Sequence, residues 1–156
     1  MKNANVRIVG YEEVYADAFA RLNIEWLERY FYVEDYDRNV LENPKEHILE
    51  PGGYIFFALA GTEVVGTVAL IHRGNLGFEL SKMAVTDTFQ GLRIGQKLMY
   101  HCIDFAGKNN LKRLFLDSNT LLKPAIKLYQ KVGFKEIAIP EKLQYARCNI
   151  RMELNV

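Results

Sequence analysis

The stretch SKMAVTDTFQGLRIGQKLMY, Ser81 to Tyr100, places Gln90, Gly91, Arg93 and Gly95 in a polar turn. A strand-like segment leads into this turn and an amphipathic, helix-like segment leads out. The first turn of a helix has backbone N–H groups without internal partners, and the helix dipole adds partial positive charge there. Such an end is an anion site, for phosphate above all. Glycine lets the chain adopt positive φ and approach a ligand closely. The turn QGLRIG (90–95) therefore suits a pyrophosphate. The P-loop spacing GxxxxGK[ST] and the dinucleotide pattern GxGxxG are both absent. From the turn alone, an ordinary strand-to-helix connection stays open as the alternative.

Other chemistry is poorly supported by the residue spacing. Cys102 and Cys148 lack a CxxC partner or a Cys/His ligand pattern, and His47, His72 and His101 show no metal-like spacing. No metal is expected, and the cysteines read as small buried hydrophobes in a reducing compartment.

The elements that must position the turn follow from periodicity. NVRIVG (5–10) alternates as a short strand. Residues 11–31 carry apolar side chains at Val14, Ala18, Leu22, Trp26 and Tyr30, one face of a helix. Residues 33–53 are polar and turn-rich, with one or two short helical turns before Pro51-Gly52-Gly53. YIFFALA (54–60) and EVVGTVALIH (63–72) flank Gly61-Thr62 as a hairpin. Residues 76–85 form a third strand of this run. A helix over 93–110 buries Ile94, Leu98, Cys102 and Phe105 or Ala106. A strand (112–118) and a helix (122–133) follow, the helix having Pro124 in its first turn and Gly133 past its end. Strands over 134–139 and 145–154 complete the chain, the last alternating through Ala146, Cys148, Ile150, Met152 and Leu154. Antiparallel hairpins feeding a β-α-β crossover predict an α/β (α+β) fold: a three-layer α/β/α sandwich around a central mixed, mostly antiparallel sheet.

The chain has 156 residues, which fits one domain over 1–156. Its 20 basic and 19 acidic residues nearly cancel, so charge gives no case for a nucleic-acid partner. The N-terminus MKNANVRIVG lacks the apolar region of a signal peptide, and no apolar run approaches the ~18 residues of a membrane span. A cytoplasmic protein without a membrane partner is expected.

Two segments carry a family resemblance. ELSKMAVTDTFQGLRIGQKLM (79–99) resembles motif A of the GNAT superfamily of acyl-CoA-dependent N-acetyltransferases, whose turn reads Gln/Arg-x-x-Gly-x-Gly/Ala; Gln90, Arg93 and Gly95 fill its defined positions. PAIKLYQKVGF (124–134) resembles motif B, with Leu128-Tyr129 followed by Gly133-Phe134. The order of elements is also the family's. The chain departs from the pattern at Arg93, where the family usually has glycine. If that position needs positive φ, arginine costs about 1 kcal/mol there. Its guanidinium either pairs with a phosphate or points to solvent.

The resemblance implies transfer of an acetyl group from acetyl-CoA to a primary amine, on a small molecule or a peptide. The pantetheine arm would pair with backbone of Met83, Ala84 and Val85, as an added strand would. The pyrophosphate would meet the turn and helix start at Gln90, Gly91, Leu92, Arg93, Ile94, Gly95 and Gln96. Asn119 would contact the cofactor arm, or serve only as a turn residue. Glu79 would be the general base, needed because a free alkyl amine has a pKa near ~10.4 and arrives protonated. Tyr129 would be the general acid toward the departing thiolate. Trp26, Tyr30 and Glu34 would wall the acceptor pocket, an aromatic and acidic surface suited to a cationic amine. The alternative for Glu79 and Tyr129 is a structural place in the sheet and the helix–sheet core, and for residues 26–37 a solvated acidic loop. A non-catalytic acyl-CoA-binding or sensor domain is the rival function. A homodimer is left open, as is common in the family.

Overall fold

The computed structural model describes residues 5–140, 143 and 145–156. Seven strands form one sheet: β1 (Val6–Gly10), β2 (Tyr54–Ala60), β3 (Glu63–His72), β4 (Phe78–Val85), β5 (Arg113–Ser118), β6 (Lys135–Ile137) and β7 (Ile150–Asn155). Their spatial order is β1-β2-β3-β4-β5-β7-β6. Neighbours are antiparallel except β4 and β5, which are parallel. The mixed, mostly antiparallel sheet expected from the sequence is therefore present.

Among the described residues, four α-helices cover its faces: α1 (Ala16–Tyr30), α2 (Asp35–Glu42), α3 (Ile94–Lys108) and α4 (Lys123–Val132). One apolar cluster joins Phe56, Val68, Leu70 and Leu116 to Ile94, Leu98, Met99, Cys102 and Ala106 of α3, with Leu128 and Tyr129 of α4 packed on it. A second, on the opposite face, joins Phe19 and Leu27 of α1 and Val40 and Leu41 of α2 to Ile55, Phe57, Ala69 and Ile71. Alternation along β2 and β3 feeds both clusters, so these central strands are buried almost throughout. Gly66 of β3 allows α3 to lie close. A Cβ there would stand 3.1 Å from Ile94 Cγ2 and 3.2 Å from Leu98 Cδ1.

Local expectations hold at the hairpin, where Gly61 has φ 63°, and at the end of α4, where Gly133 has φ 111°. Two are corrected. The first helix begins at Ala16 rather than 11, after a separate tight turn over Glu13–Tyr15. Its buried residues are Phe19, Leu22, Asn23 and Leu27, while Val14 is 77% exposed. Val14 lies before the helix, and a strict four-residue stripe drifts about 40° round the axis per step, so the line through Ala18 and Tyr30 leaves the face that Phe19, Leu22, Asn23 and Leu27 bury. The last strand begins at Ile150 rather than 145. Tyr145 and Arg147 are drawn out of the sheet by polar partners, described below.

Candidate active-site cleft

β4 and β5 pair only through Phe78–Leu114 and Glu79–Phe115. Beyond that point they diverge, because each is held more firmly on its other side. β5 pairs along its whole length with β7. β4 follows β3 through a bulge, marked by a register shift between Thr67 and Ala69, with Lys82 at φ 55°. From Leu80 onward the edge of β4 that faces β5 has no strand partner among the described residues. A cleft of about 840 Å³ opens in this gap. β4 from Leu80 to Val85 and β5 from Leu116 to Ser118 form its floor, and α1, α4 and the turn before α3 form its walls. Met83, Ala84 and Val85 therefore lie where an extended ligand arm can add to a sheet edge. The Val85 carbonyl is already engaged, accepting from Gln90 Nε2 at 3.3 Å.

The turn before α3 has the geometry its sequence predicts for an anion. Gly91 takes φ 83°, and nothing lies within 4 Å of where its Cβ would be. Arg93 is the N-cap residue, at φ 61° and ψ 26°. The position does require left-handed backbone, so the departure from glycine carries strain of about 1 kcal/mol. The Arg93 carbonyl accepts the Lys97 N–H at 3.0 Å, while no side chain caps the helix. The N–H groups of Ile94, Gly95 and Gln96 are thus without helical partners. The Arg93 side chain is exposed and borders the cleft, and Leu92 packs on the core. Charge, dipole and free donors coincide at this end.

Tyr129 of α4 borders the cleft from the opposite side. Its ring lies edge-on to Phe134 at 6.2 Å. Burial pushes its phenol up to about 12, with a hydrogen bond from Ser118 opposing the rise and Cys148 adding to it. Asn119 is committed to structure on both ends of its amide: Nδ2 donates to the Arg147 carbonyl at 2.8 Å, and Oδ1 accepts the Leu121 N–H at 2.8 Å. It ties the segment before β7 to the end of β5. Cys102 is buried, with its thiol pushed up by burial. Cys148 is only half-buried, contrary to expectation, and burial pushes its thiol up to about 12. Neither is a ready nucleophile.

Glu79 lies beneath the cleft rather than on its lining, only 2% exposed. Its Oε1 accepts from Arg73 Nε at 2.9 Å, and Arg73 Nη2 donates to the Tyr36 hydroxyl at 3.1 Å. Beside it, Lys82 Nζ donates to Asp37 Oδ1 at 3.2 Å and to the Tyr145 hydroxyl at 2.8 Å. Asp37 is fully buried and saturated. It also accepts from Arg147 Nη1 at 2.6 Å, Arg147 Nη2 at 2.9 Å and the Glu34 N–H at 3.0 Å. Burial would raise the Asp37 pKa, but Arg147 and Lys82 outweigh it and hold the carboxyl below its usual range. Burial pushes the Lys82 ammonium down, with Asp37 and Glu79 opposing the fall.

This network corrects the acidic wall expected at residues 26–37. Trp26 and Tyr30 do border the cleft, stacked at 5.2 Å with Phe31 beside them. Glu34 does not. Its carboxylate is bound to Arg147 Nη1 at 2.8 Å and to the Ala146 N–H at 3.2 Å. The wall is aromatic, and its carboxylates are neutralised behind it. Lys82, Tyr145 and Arg147 were not singled out in the sequence, and Asp37 was read only as one acidic residue of the stretch 26–37. The available signal was a lysine at the centre of the apolar strand FELSKMAV, where a buried charge demands partners.

Comparison with known proteins agrees with the fold and the motifs. The profile of the acetyltransferase (GNAT) family matches residues 15–134, and the chain belongs to that family. A probable N-acetyltransferase camello of Xenopus tropicalis is 29% identical over 101 residues, covering 64% of this chain and 46% of the relative. The human N-acetylaspartate synthetase is 29% identical over 119 residues, covering 70% and 39%. The chain spans less than half the length of these two relatives. Among solved structures, a GNAT-family acetyltransferase of Staphylococcus aureus Mu50 superposes with TM-score 0.84 at 24% identity, over 96% of this chain and 98% of that one. A Bacillus subtilis acetyltransferase in complex with CoA gives TM-score 0.73 at 22% identity, over 97% and 99%. These likenesses establish the fold.

Proposed function

We propose that the chain is an N-acetyltransferase that moves an acetyl group from acetyl-CoA to a primary amine. The observation that carries this reading is the gap between β4 and β5, which ends at the uncapped start of α3. A thioester with a long polar arm and a pyrophosphate fits that shape: the arm along Met83–Val85, the phosphates at residues 90–96. The bound thioester supplies the acyl group. The amine nitrogen bonds to the acyl carbon, the carbon–sulfur bond breaks, and sulfur leaves as thiolate.

The chain's own residues handle the protons. Glu79 receives the amine proton through a bridging water, since its carboxylate lies beneath the cleft lining. Tyr129 supports the leaving thiolate. A thiol pKa of about 8.5 lies roughly 3.5 units below that of the phenol, so full proton transfer would be uphill by about 5 kcal/mol. Tyr129 therefore acts by a hydrogen bond to sulfur, and solvent delivers the final proton.

The test is thiol release from acetyl-CoA across a panel of amines, with acetyl-CoA-induced melting shifts on the same samples. Release with one class of amine establishes the enzyme. A melting shift without release for any amine supports the binding-domain alternative, and the absence of both signals refutes the reading of the turn. Tyr129→Phe should lower kcat about tenfold or more and leave acetyl-CoA affinity within about twofold. Glu79→Gln should lower kcat and move its pH dependence upward; an unchanged pH–rate profile removes Glu79 from the base role.

A further inference from the structure

Charged residues on the cleft lining are Lys82, Arg93, Asp117 and Arg147. Asp117 is neutralised by a fork from Arg151, with Nε at 2.7 Å and Nη2 at 3.0 Å. Arg93 stands at the pyrophosphate end. Away from that end, the charged side chains that the described residues bring to the lining are, besides the paired Asp117, the two cations Lys82 and Arg147. Their carboxylate partners, Asp37 and Glu34, lie behind them and do not reach the lining.

Donor bookkeeping sharpens the point. Lys82 has three N–H donors, and two are used within the described residues. Arg147 has five, of which Nη1 gives two bonds and Nη2 one. Its Nε has no partner among the described residues. Asp37 has no acceptor capacity left. Among the described residues, the acceptor end therefore offers unused donors on fixed cations and no free carboxylate. The lysine is held rigidly, with its side chain only 3% exposed and its ammonium 4.3 Å from the Tyr145 ring centre.

Resting on the transferase reading above, we infer that the acceptor is an amine bearing a carboxylate, a free amino acid, and that Lys82 and Arg147 bind that carboxylate. The carboxylate accepts the spare hydrogen bonds, and the aromatic wall of Trp26 and Tyr30 packs on the acceptor's carbon skeleton. A diamine would bring its second ammonium against the same two cations.

The experiment compares matched acceptors on the intact protein: glycine, alanine and phenylalanine, each against its carboxamide and its decarboxylated amine. Thiol release is read for KM and kcat, and melting shifts are read with CoA bound. Expected are a KM at least tenfold lower for the carboxylates and a melting shift that only they produce. Lys82→Met and Arg147→Gln should each raise KM for the carboxylate acceptor tenfold or more, with kcat within about threefold. Should a variant not fold, the acceptor comparison on the unaltered protein still decides. Equal or better use of amides or diamines overturns the inference, as does a preference that survives both substitutions. If no amine releases thiol, the transferase reading fails; the carboxylate-specific melting shift then supports the subsite, and its absence overturns it.

Discussion

Arg93 is the residue where a substitution separates backbone strain from ligand charge. Its φ of 61° places an L side chain in the left-handed region, at a cost of about 1 to 2 kcal/mol. Glycine removes that cost but returns about 0.4–1 kcal/mol of unfolded-chain entropy. Arg93→Gly should therefore stabilise the free protein by up to about 1.6 kcal/mol, or up to about 3–6 °C in Tm for a chain of this length. Arg93→Gln keeps the strain and should leave Tm within about 1 °C. Both remove an exposed guanidinium from the anion site, a contact worth about 1 kcal/mol in water, so both should weaken acetyl-CoA about fivefold. The assay is thermal melting without ligand, then titration of acetyl-CoA at low and high salt. Affinity of the unaltered protein should fall more steeply with salt than that of either variant. If Arg93→Gly lowers Tm, the arginine side chain makes stabilising contacts and the strain argument is wrong. If neither variant changes affinity, the guanidinium serves solvent and not phosphate.

Two further predictions follow from packing and from the buried network. Gly66→Val should destabilise by about 1–3 kcal/mol by pushing α3 off the sheet at Ile94 and Leu98, and should weaken acetyl-CoA because the α3 amides move; melting and ligand titration check both. Asp37 has a depressed pKa in the folded protein, so its stabilisation is complete above about 4 and is lost as pH falls through the folded value. Asp37→Asn should cost about 3–5 kcal/mol at neutral pH and make urea stability less pH-dependent below about pH 4. An identical acid slope in the variant would refute that assignment.

Much of this protein was legible as pattern. Alternation in YIFFALA and EVVGTVALIH, the apolar face of α3, and Pro124 and Gly133 around α4 are local signals, and local signals fix elements. QGLRIG was legible too, because a helix start exposes the same N–H groups in any fold. The face of α1 was not, since a four-residue stripe drifts about 40° per step and several faces carry apolar residues; only packing shows that Phe19, Leu22 and Leu27 are the buried ones. The acceptor end was the least legible. Lys82, Asp37, Tyr145 and Arg147 lie far apart in sequence, and their pairing depends on the β4 bulge and on the segment before β7 leaving the sheet. In the sequence, Glu34 and Asp37 are acidic residues in a polar loop. In the folded chain, low-dielectric surroundings force them onto Arg147 and Lys82, and that pairing takes the carboxylates off the cleft lining and leaves Lys82 and Arg147 on it.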